Sequence, residues 1–515
     1  MSKIPYSISR ITYNHDSLHR NPDAQSGPII AFMKSLQELL TKRSFKTTPI
    51  GYNEIECSDG EVRLFAEIFG NPRDLINVHE KAQLDNYINL RKAQIDAGLN
   101  LGQLRGKNGG ITYFHKSPLL EKLDISERTP IIYTLGMTQC ALMSHFIFKT
   151  TVTAHFDIVY KLITKRDPNF EVKRPDLLGY SVNPEDSFDY SKPARLLIEA
   201  KGRSNKKDAK DSVSTAVGQL SSIDKLLDKN KLSEENKDAL RAVIDSAMPV
   251  VSIAYFDDSE QLHARNKWKN LTYILTSTSS YSTPPDSTSP LTAPRDEEFG
   301  GLLLIASLLP ICQIIKISTP SFNATLVWAF IPQINAWLAL PKSLYDIIVE
   351  NFIEAPLPDY KQLLEYAKEA WSIFQGIDMA AYKGEINELK GQVSCTGFAW
   401  ILNESLDTPL KDSSASEQDN DSRDKLSDRL RGIEVEYLPK NSEESNWSSR
   451  SEKDGFDSAD SQDSCTSIDI IDDAIGDTIE FIEPKIELIE PKDDCSEAHE
   501  EEDDQEYQHT DGSAQ

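Results

Sequence analysis

Apolar residues return every three or four positions in some stretches of the chain and on alternate positions in others, and the expected elements follow from that spacing. Met1 to Pro28 is polar and rich in turn formers, which predicts a loose arm. Directly after it, Ile29, Phe32, Met33, Leu36, Leu39 and Leu40 predict one amphipathic helix. Between Asn53 and Ser126 a strand-like alternation at Val62, Leu64, Ala66 and Ile68 is mixed with a polar helix around Leu84 to Gly98 and a glycine-rich turn at Gly106 to Gly110. Two helical stretches follow, Thr134 to Lys149 and Ala154 to Thr164, then a strand-like run from Phe170 to Tyr180. Turn formers at Asn183 to Asp186 separate that run from a second strand, Ala194 to Ala200, so the two read as a hairpin. A helix over Lys210 to Lys229 carries the stripe Val213, Val217, Leu220, Ile223 and Leu226. A second helix, Glu234 to Ala247, leads to the almost wholly apolar strand Pro249 to Phe256, a pattern expected of a strand covered on both faces. This order of helix, strands, helix and strand predicts an α/β sandwich.

The remainder divides by composition. Residues 276–297 are dense in Ser, Thr and Pro and read as a linker or loop. Residues 298–410 read as mostly helical, anchored by Trp328, Phe330, Trp337, Tyr345, Tyr366 and Trp371. Within them Gly300 to Ile315, broken by Pro310 and Gln313, predicts a buried helix pair; it is shorter than the roughly 20 residues a bilayer span takes, so no membrane is expected. Residues 411–515 are rich in Ser, Asp and Glu and too poor in apolar side chains to offset the entropy of ordering, so a disordered acidic tail is expected. Inside it Ile479 to Lys485 and Ile486 to Lys492 repeat the pattern I-E-(F/L)-I-E-P-K, a candidate docking segment for a protein partner.

Charge changes the picture once it is located. The chain carries a net charge of -27, yet residues 411–515 alone hold 33 acidic and 10 basic residues, leaving a balance of only -4 on the first 410. The body is therefore nearly neutral, and the overall sign does not argue against a nucleic-acid partner. Six cysteines stand singly, with no C-x-x-C pair and no histidine at ligand spacing, which disfavours a zinc site or a disulfide framework. Free thiols and an N-terminus without a continuous apolar run predict an intracellular protein, cytoplasmic or nuclear.

The chemistry that stands out is two carboxylates and a lysine at the ends of apolar strands. Glu199 and Lys201, two apart on one strand, project from the same face, while Ala200 points into the packing. Hydrolysing a phosphodiester takes a divalent cation, an activated water and positive charge for the transition state, and Asp176, Glu199 and Lys201 are the residue types for it. Taken singly, an E-x-K on a strand also fits a solvated cross-strand charge pair, and a Pro-Asp fits a turn.

Arg174-Pro175-Asp176 followed by Leu197-Ile198-Glu199-Ala200-Lys201-Gly202 is similar to the PD-(D/E)xK pattern of the restriction-endonuclease-like nucleases, over about 90 of the 515 residues. The resemblance implies an αβββαβ core over residues 134–275; the mixed pattern ahead of it reads as an N-terminal mixed domain over 29–133. It implies Mg2+ (or Mn2+) on Asp176 and Glu199, with Lys201 orienting water or stabilising charge. Gln219, on the following helix, corresponds to a glutamine many members carry as a catalytic residue. Family members often add an acid from the preceding helix, where this chain offers Asp157. Arg203, Lys206, Lys207 and Lys210 follow the motif as a candidate nucleic-acid-binding loop, and Arg265, Lys267, Trp268 and Lys269 interleave charge with a ring that could stack on a base or anchor a strand. The expected activity is metal-dependent hydrolysis of phosphodiesters, in DNA by the family's habit. The competing reading is a catalytically silent nuclease-like scaffold that recruits a partner through its acidic tail.

Overall fold

The computed structural model describes residues 2–13, 33–34, 36–37, 46–66, 80–100, 112–148, 150–168, 172–182, 194–229, 232–257, 266–277, 294–394, 396–402 and 417–437. The expected turn at Gly106 to Gly110, the hairpin loop at Asn183 to Asp186, most of the Ser/Thr/Pro segment and the repeat at Ile479 to Lys492 lie outside the described residues. The chain is a mixed α/β protein.

Ten strands precede the apolar helix in the second half: β1 (Ser2–Tyr13), β2 (Lys46–Cys57), β3 (Leu99–Asn100), β4 (Thr112–Tyr113), β5 (His115–Lys116), β6 (Val152–His155), β7 (Leu177–Ser181), β8 (Ala194–Arg203), β9 (Met248–Phe256) and β10 (Trp268–Ser277). The helices among them are α1 (Asp59–Leu64), α2 (Lys81–Gly98), α3 (Pro118–Lys122), α4 (Ile125–Phe146), α5 (Phe156–Thr164), α6 (Lys206–Leu220), α7 (Ile223–Lys229) and α8 (Glu234–Asp245). Eight strands form one mixed sheet in the order β2-β1-β10-β9-β8-β7-β6, with β4 alongside β1. The β8–β9 and β1–β10 pairs are parallel, and the helices α6 to α8 make the crossover that a parallel β8–β9 pair requires.

Alternation along the strands sorts the sheet into two faces. Leu196, Ile198 and Ala200 of β8 join Val250 and Ala254 of β9 in a core with Leu135 and Cys140 of α4. Leu197 joins Val251 and Ile253 in the other core, with Val213 and Val217 of α6 and Leu240 of α8. The helix α4 begins on a capping box between Asp124 and Glu127 and lies directly on β8. A Cβ at Gly202 would come 1.9 Å from the carbonyl oxygen of Ile132, and one at Gly136 would come 2.6 Å from the nitrogen of Gly202. Glycine at both positions lets helix and strand backbones touch.

Beyond the sheet runs α9 (Asp296–Ile317), followed by β11 (Ser321–Phe322), β12 (Leu326–Ile331), β13 (Ala336–Pro341), α10 (Lys342–Ile348), α11 (Tyr360–Gly376), α12 (Met379–Glu388), β14 (Gln392–Val393), β15 (Ala399–Leu402) and α13 (Glu417–Arg431). A second, five-stranded antiparallel sheet has the order β11-β12-β13-β15-β14. The helix α9 is long and apolar enough to pass for a membrane span, but 89% of its most apolar window is buried within the protein. It serves as a core helix shared with the first sheet.

Several expectations need correction. The first part of the expected arm is instead β1, paired with β2 over residues 2–12 and with β10 over residues 6–13, because Ile4, Ile8 and Ile11 find apolar neighbours only when distant strands close on them, while residues 14–28 lie outside the described residues. Val62 and Leu64 lie on helix α1, whose start at Ser58 is set by a capping box with Glu61. Since β1 and β2 share a sheet with β6 to β10, residues 29–133 do not form a domain apart from the core. The stretch Ala154 to Thr164 begins as an edge strand and turns helical only at Phe156. Gly300 to Ile315 is one continuous helix through Pro310. Residues 298–410 contain a sheet, in which Trp328, Phe330 and Trp337 are strand residues. Residues 417–437 are not tail: they form α13 and a bridge from Tyr437 to Ile377, with Leu430, Ile433 and Val435 buried in the main core. Their few apolar side chains suffice because they dock on a core that already exists.

Replacing Leu430 with Ala is expected to cost about 2–4 kcal/mol of stability, the usual range for a buried leucine, read from the shift of a urea unfolding midpoint. An unchanged midpoint would return residues 417–437 to the tail. Gly202→Ala should cost roughly 1–3 kcal/mol by forcing α4 off β8, measured in the same way.

Candidate active site

The strand pair β7–β8 sets the geometry. Leu177 pairs with Ile198, and the ladder continues one step further, where the Asp176 N–H donates to the Ile198 carbonyl at 3.1 Å. Asp176 therefore stands opposite Glu199, on the same face of the sheet, and Lys201 follows on that face two residues on. Pro175 holds Arg174 extended and leads straight into the strand. The structure thus brings Asp176, Glu199 and Lys201 together, with Ala200 on the α4 side.

Each group has defined partners. The Ala200 N–H donates to Asp176 Oδ2 at 2.8 Å. Lys201 Nζ is ion-paired with Glu199 Oε1 and donates to the Ala200 carbonyl at 3.2 Å. Glu199 is fully buried, and among the described residues no donor meets its Oε2, though the two carboxyls lie close enough for Asp176 to act on Glu199 as a hydrogen-bonding neighbour. Burial pushes the Glu199 carboxyl well above the usual carboxylate range, Asp176 pushes it further, and Lys201 opposes both. Asp176 is also raised, chiefly by burial, against the pull of Lys201 and of the Ala200 N–H. Two buried acids facing each other, one with an orphaned oxygen, form a donor set that suits a hard divalent cation.

Asp157 sits at the first turn of α5, where the Phe156 N–H donates to the Asp176 carbonyl at 2.9 Å and His155 Nδ1 accepts from the Asp157 N–H at 3.1 Å. Its carboxylate is gripped by the fork of Arg174, with Nη2 2.7 Å from Oδ2. It raises Asp176 through space while Arg174 offsets that effect. Among the described residues no group of three or more His, Cys, Asp or Glu side chains gathers at metal-ligand spacing. A cation here would draw on Asp176 and Glu199 and on oxygens of water and phosphate, a mixture magnesium tolerates.

The other expected residues fall around this centre unevenly. Gln219 is half-buried near the far end of α6, off its apolar stripe, and its side chain makes no hydrogen bond among the described residues. Arg203 lies on the same face as Lys201, half-buried, and donates to the Gly202 carbonyl at 2.6 Å. Lys206, Lys207 and Lys210 are exposed on the first turns of α6, which Asn205 caps by accepting from the Asp208 N–H at 2.8 Å. Trp268 is fully buried on β10 with its ring edge-on to Phe114, and Lys269 is ion-paired with Asp257, so that trio is a strand anchor and not a stacking platform.

Arg174 is the residue that sequence reasoning passed over. Its position before Pro175-Asp176 was visible, but its partner Asp157 lies on another element and no local spacing reveals the pair. Cys140 of α4 lies behind the site, its thiol pushed up by burial and by Asp176. Comparison with models of protein families, with curated proteins and with solved structures finds no match for this chain.

The raised carboxyls imply a specific pH dependence. Below the ordinary carboxylate range, at about pH 3 and lower, both acids are largely neutral in the folded and unfolded chain alike; above it the unfolded chain ionises freely while the buried pair resists, so stability falls as pH rises. Asp176→Asn removes one of the opposed charges and is expected to raise the melting temperature by a few degrees at about pH 7.5 in chelator, the gain shrinking through the carboxylate range and gone at about pH 3. Melting curves of the two proteins across that range test it, and a gain that persists in acid would contradict the assignment.

Proposed function

We propose that the protein is a divalent-cation-dependent nuclease with a restriction-endonuclease-like core, hydrolysing phosphodiester bonds in DNA. The observation that carries this reading is the opposition of Asp176 and Glu199 across β7 and β8 with Lys201 on the same face. The order α4, β6, α5, β7, β8, α6, α7, α8 and β9 supports it: apart from the helix α5 between β6 and β7, it supplies the helix-flanked hairpin and crossover that the PD-(D/E)xK resemblance implies.

Asp176 Oδ1 and the unpartnered Oε2 of Glu199 would hold the cation, Mg2+ or Mn2+. When bound, the cation lowers the pKa of a water and offsets charge building on the phosphate oxygens. Lys201 Nζ, which shares the face of both acids and is ion-paired with Glu199 Oε1, would donate to the attacking water or to a non-bridging phosphate oxygen. The water oxygen bonds to phosphorus, one phosphorus–oxygen ester bond breaks, and the leaving oxygen takes up a proton. Arg203, Lys206, Lys207 and Lys210 would fix the flanking phosphates, a sequence-independent contribution that weakens with salt. Arg174 would hold Asp157 in place at the N-terminus of α5 and so keep its charge from adding to the crowding at Asp176.

The purified protein is expected to cleave DNA when Mg2+ or Mn2+ is supplied and to stop in chelator. Asp176→Asn, Glu199→Gln and Lys201→Ala should each lower the rate by about 10²–10⁴-fold, as loss of a group acting on the reacting atoms does. Cleavage at the parent's rate by any of the three would reject the assignment, and RNA offered in parallel settles the choice of sugar. In crystals soaked with manganese, an anomalous peak between the carboxylates of Asp176 and Glu199 is the expected structural counterpart.

A further inference from the structure

A concavity lies away from the carboxylates, where the last turn of α4 meets α12, β14 and β15. It encloses about 300 Å³ and continues into a narrower chamber of about 50 Å³, the two sharing Phe65, His145 and Trp400. Sites for small organic molecules begin at roughly that size.

Its walls are aromatic. The rings of Phe65 and His145 have centroids 6.1 Å apart, and Trp400 also lines both chambers. The polar groups stand at the rim. The side-chain amides of Asn387, which is exposed, and of Gln392 make no hydrogen bond to the protein among the described residues, and neither does the indole N–H of Trp400, a residue only 4% exposed. Donors and acceptors not committed to the protein are available to a bound ligand. Lys383 lies exposed at the mouth, one helical turn from Asn387, without an ion pair among the described residues. Glu61 also borders the mouth, but its Oε2 accepts from the Ser58 N–H at 2.6 Å and from the Ser58 hydroxyl at 2.9 Å, which commits it to capping α1.

We infer that this cleft binds the heteroaromatic base of a nucleotide, with Lys383 on its phosphate. A planar base can lie against the rings of Phe65 and Trp400. Two amides offer both donors and acceptors to its polar edge, as base recognition demands, and the indole N–H supplies a further donor. An aliphatic ligand would leave all three groups unpaired. The inner chamber is lined by hydroxyls, imidazoles and apolar groups and by no carboxylate or ammonium, which suits an uncharged ring. This assignment is independent of the nuclease reading, because none of Asp176, Glu199 and Lys201 lines the cleft.

The test uses the full chain and the four common ribonucleoside 5′-monophosphates, their nucleosides and ribose 5-phosphate as probes, followed by calorimetric titration and thermal shift. At least one base-bearing probe is expected to bind and raise the melting temperature, whereas ribose 5-phosphate should not. Lys383→Ala should weaken the nucleotide about tenfold and leave its nucleoside unchanged. Asn387→Ala combined with Gln392→Ala should weaken both by tenfold or more; all three residues lie at the rim, so the fold is retained and circular dichroism checks it. Competition by a short single-stranded oligonucleotide would identify the source as a base splayed from a strand, and its absence would identify a free nucleotide. Failure of every base-bearing probe to bind at millimolar concentration, or binding that the rim variants leave untouched, overturns the proposal.

Discussion

Two acids facing each other across a pair of strands, shut off from water, are the constraint around which the rest of this protein is arranged. Ionised together they repel; neutral together they do no chemistry. The surroundings of Asp176 and Glu199 hold a compromise, with one ammonium on Glu199, one backbone N–H on Asp176 and one oxygen left over. The fold around them is correspondingly stiff. Helix α4 lies against β8 at Gly136 and Gly202 with no side chain between, and α5 is stapled to the Asp176 carbonyl by the Phe156 N–H. The acids cannot move apart to relieve their repulsion, so the relief has to come from a cation or a proton.

That rigidity explains the place of Arg174. An additional carboxylate at Asp157, this close to Asp176, would deepen the conflict if it stood unpaired. The fork of Arg174 converts it into part of a neutral pair, built into the same turn that delivers Asp176. The residue before Pro175 thus bears on the charge seen by the residue after it.

The parts of this arrangement visible in the sequence are those that local spacing encodes. Two residues on one strand share a face whatever the rest of the chain does, so Glu199 and Lys201 could be paired by eye, and the stripe on α6 and the apolar run of β9 carried their own periods. What stayed hidden depends on partners far along the chain. The strand β1 has polar residues at almost every second step and looks like an arm until β10 and β2 close on it. Val62 and Leu64 suit a strand by alternation, but the Ser58–Glu61 capping box starts a helix there. Residues 417–437 carry so few apolar side chains that composition groups them with the acidic segment, although Leu430, Ile433 and Val435 each find a place prepared by elements made earlier. Gln219 shows the reverse case, a residue of the right type whose side chain the helix leaves unbonded.

The parallel pairing of β1 with β10 also bears on how the chain comes to exist. Ile8 takes Thr272 as its neighbour, so β1 cannot complete its place in the sheet until the more than 250 residues between the two have been made. At about 5–20 residues per second that delay is of order ten seconds or more, with an apolar edge waiting for its mate. Closing so long a loop is slow as well as late. The speed of translation through the middle of the message thus becomes a variable in the yield of folded protein.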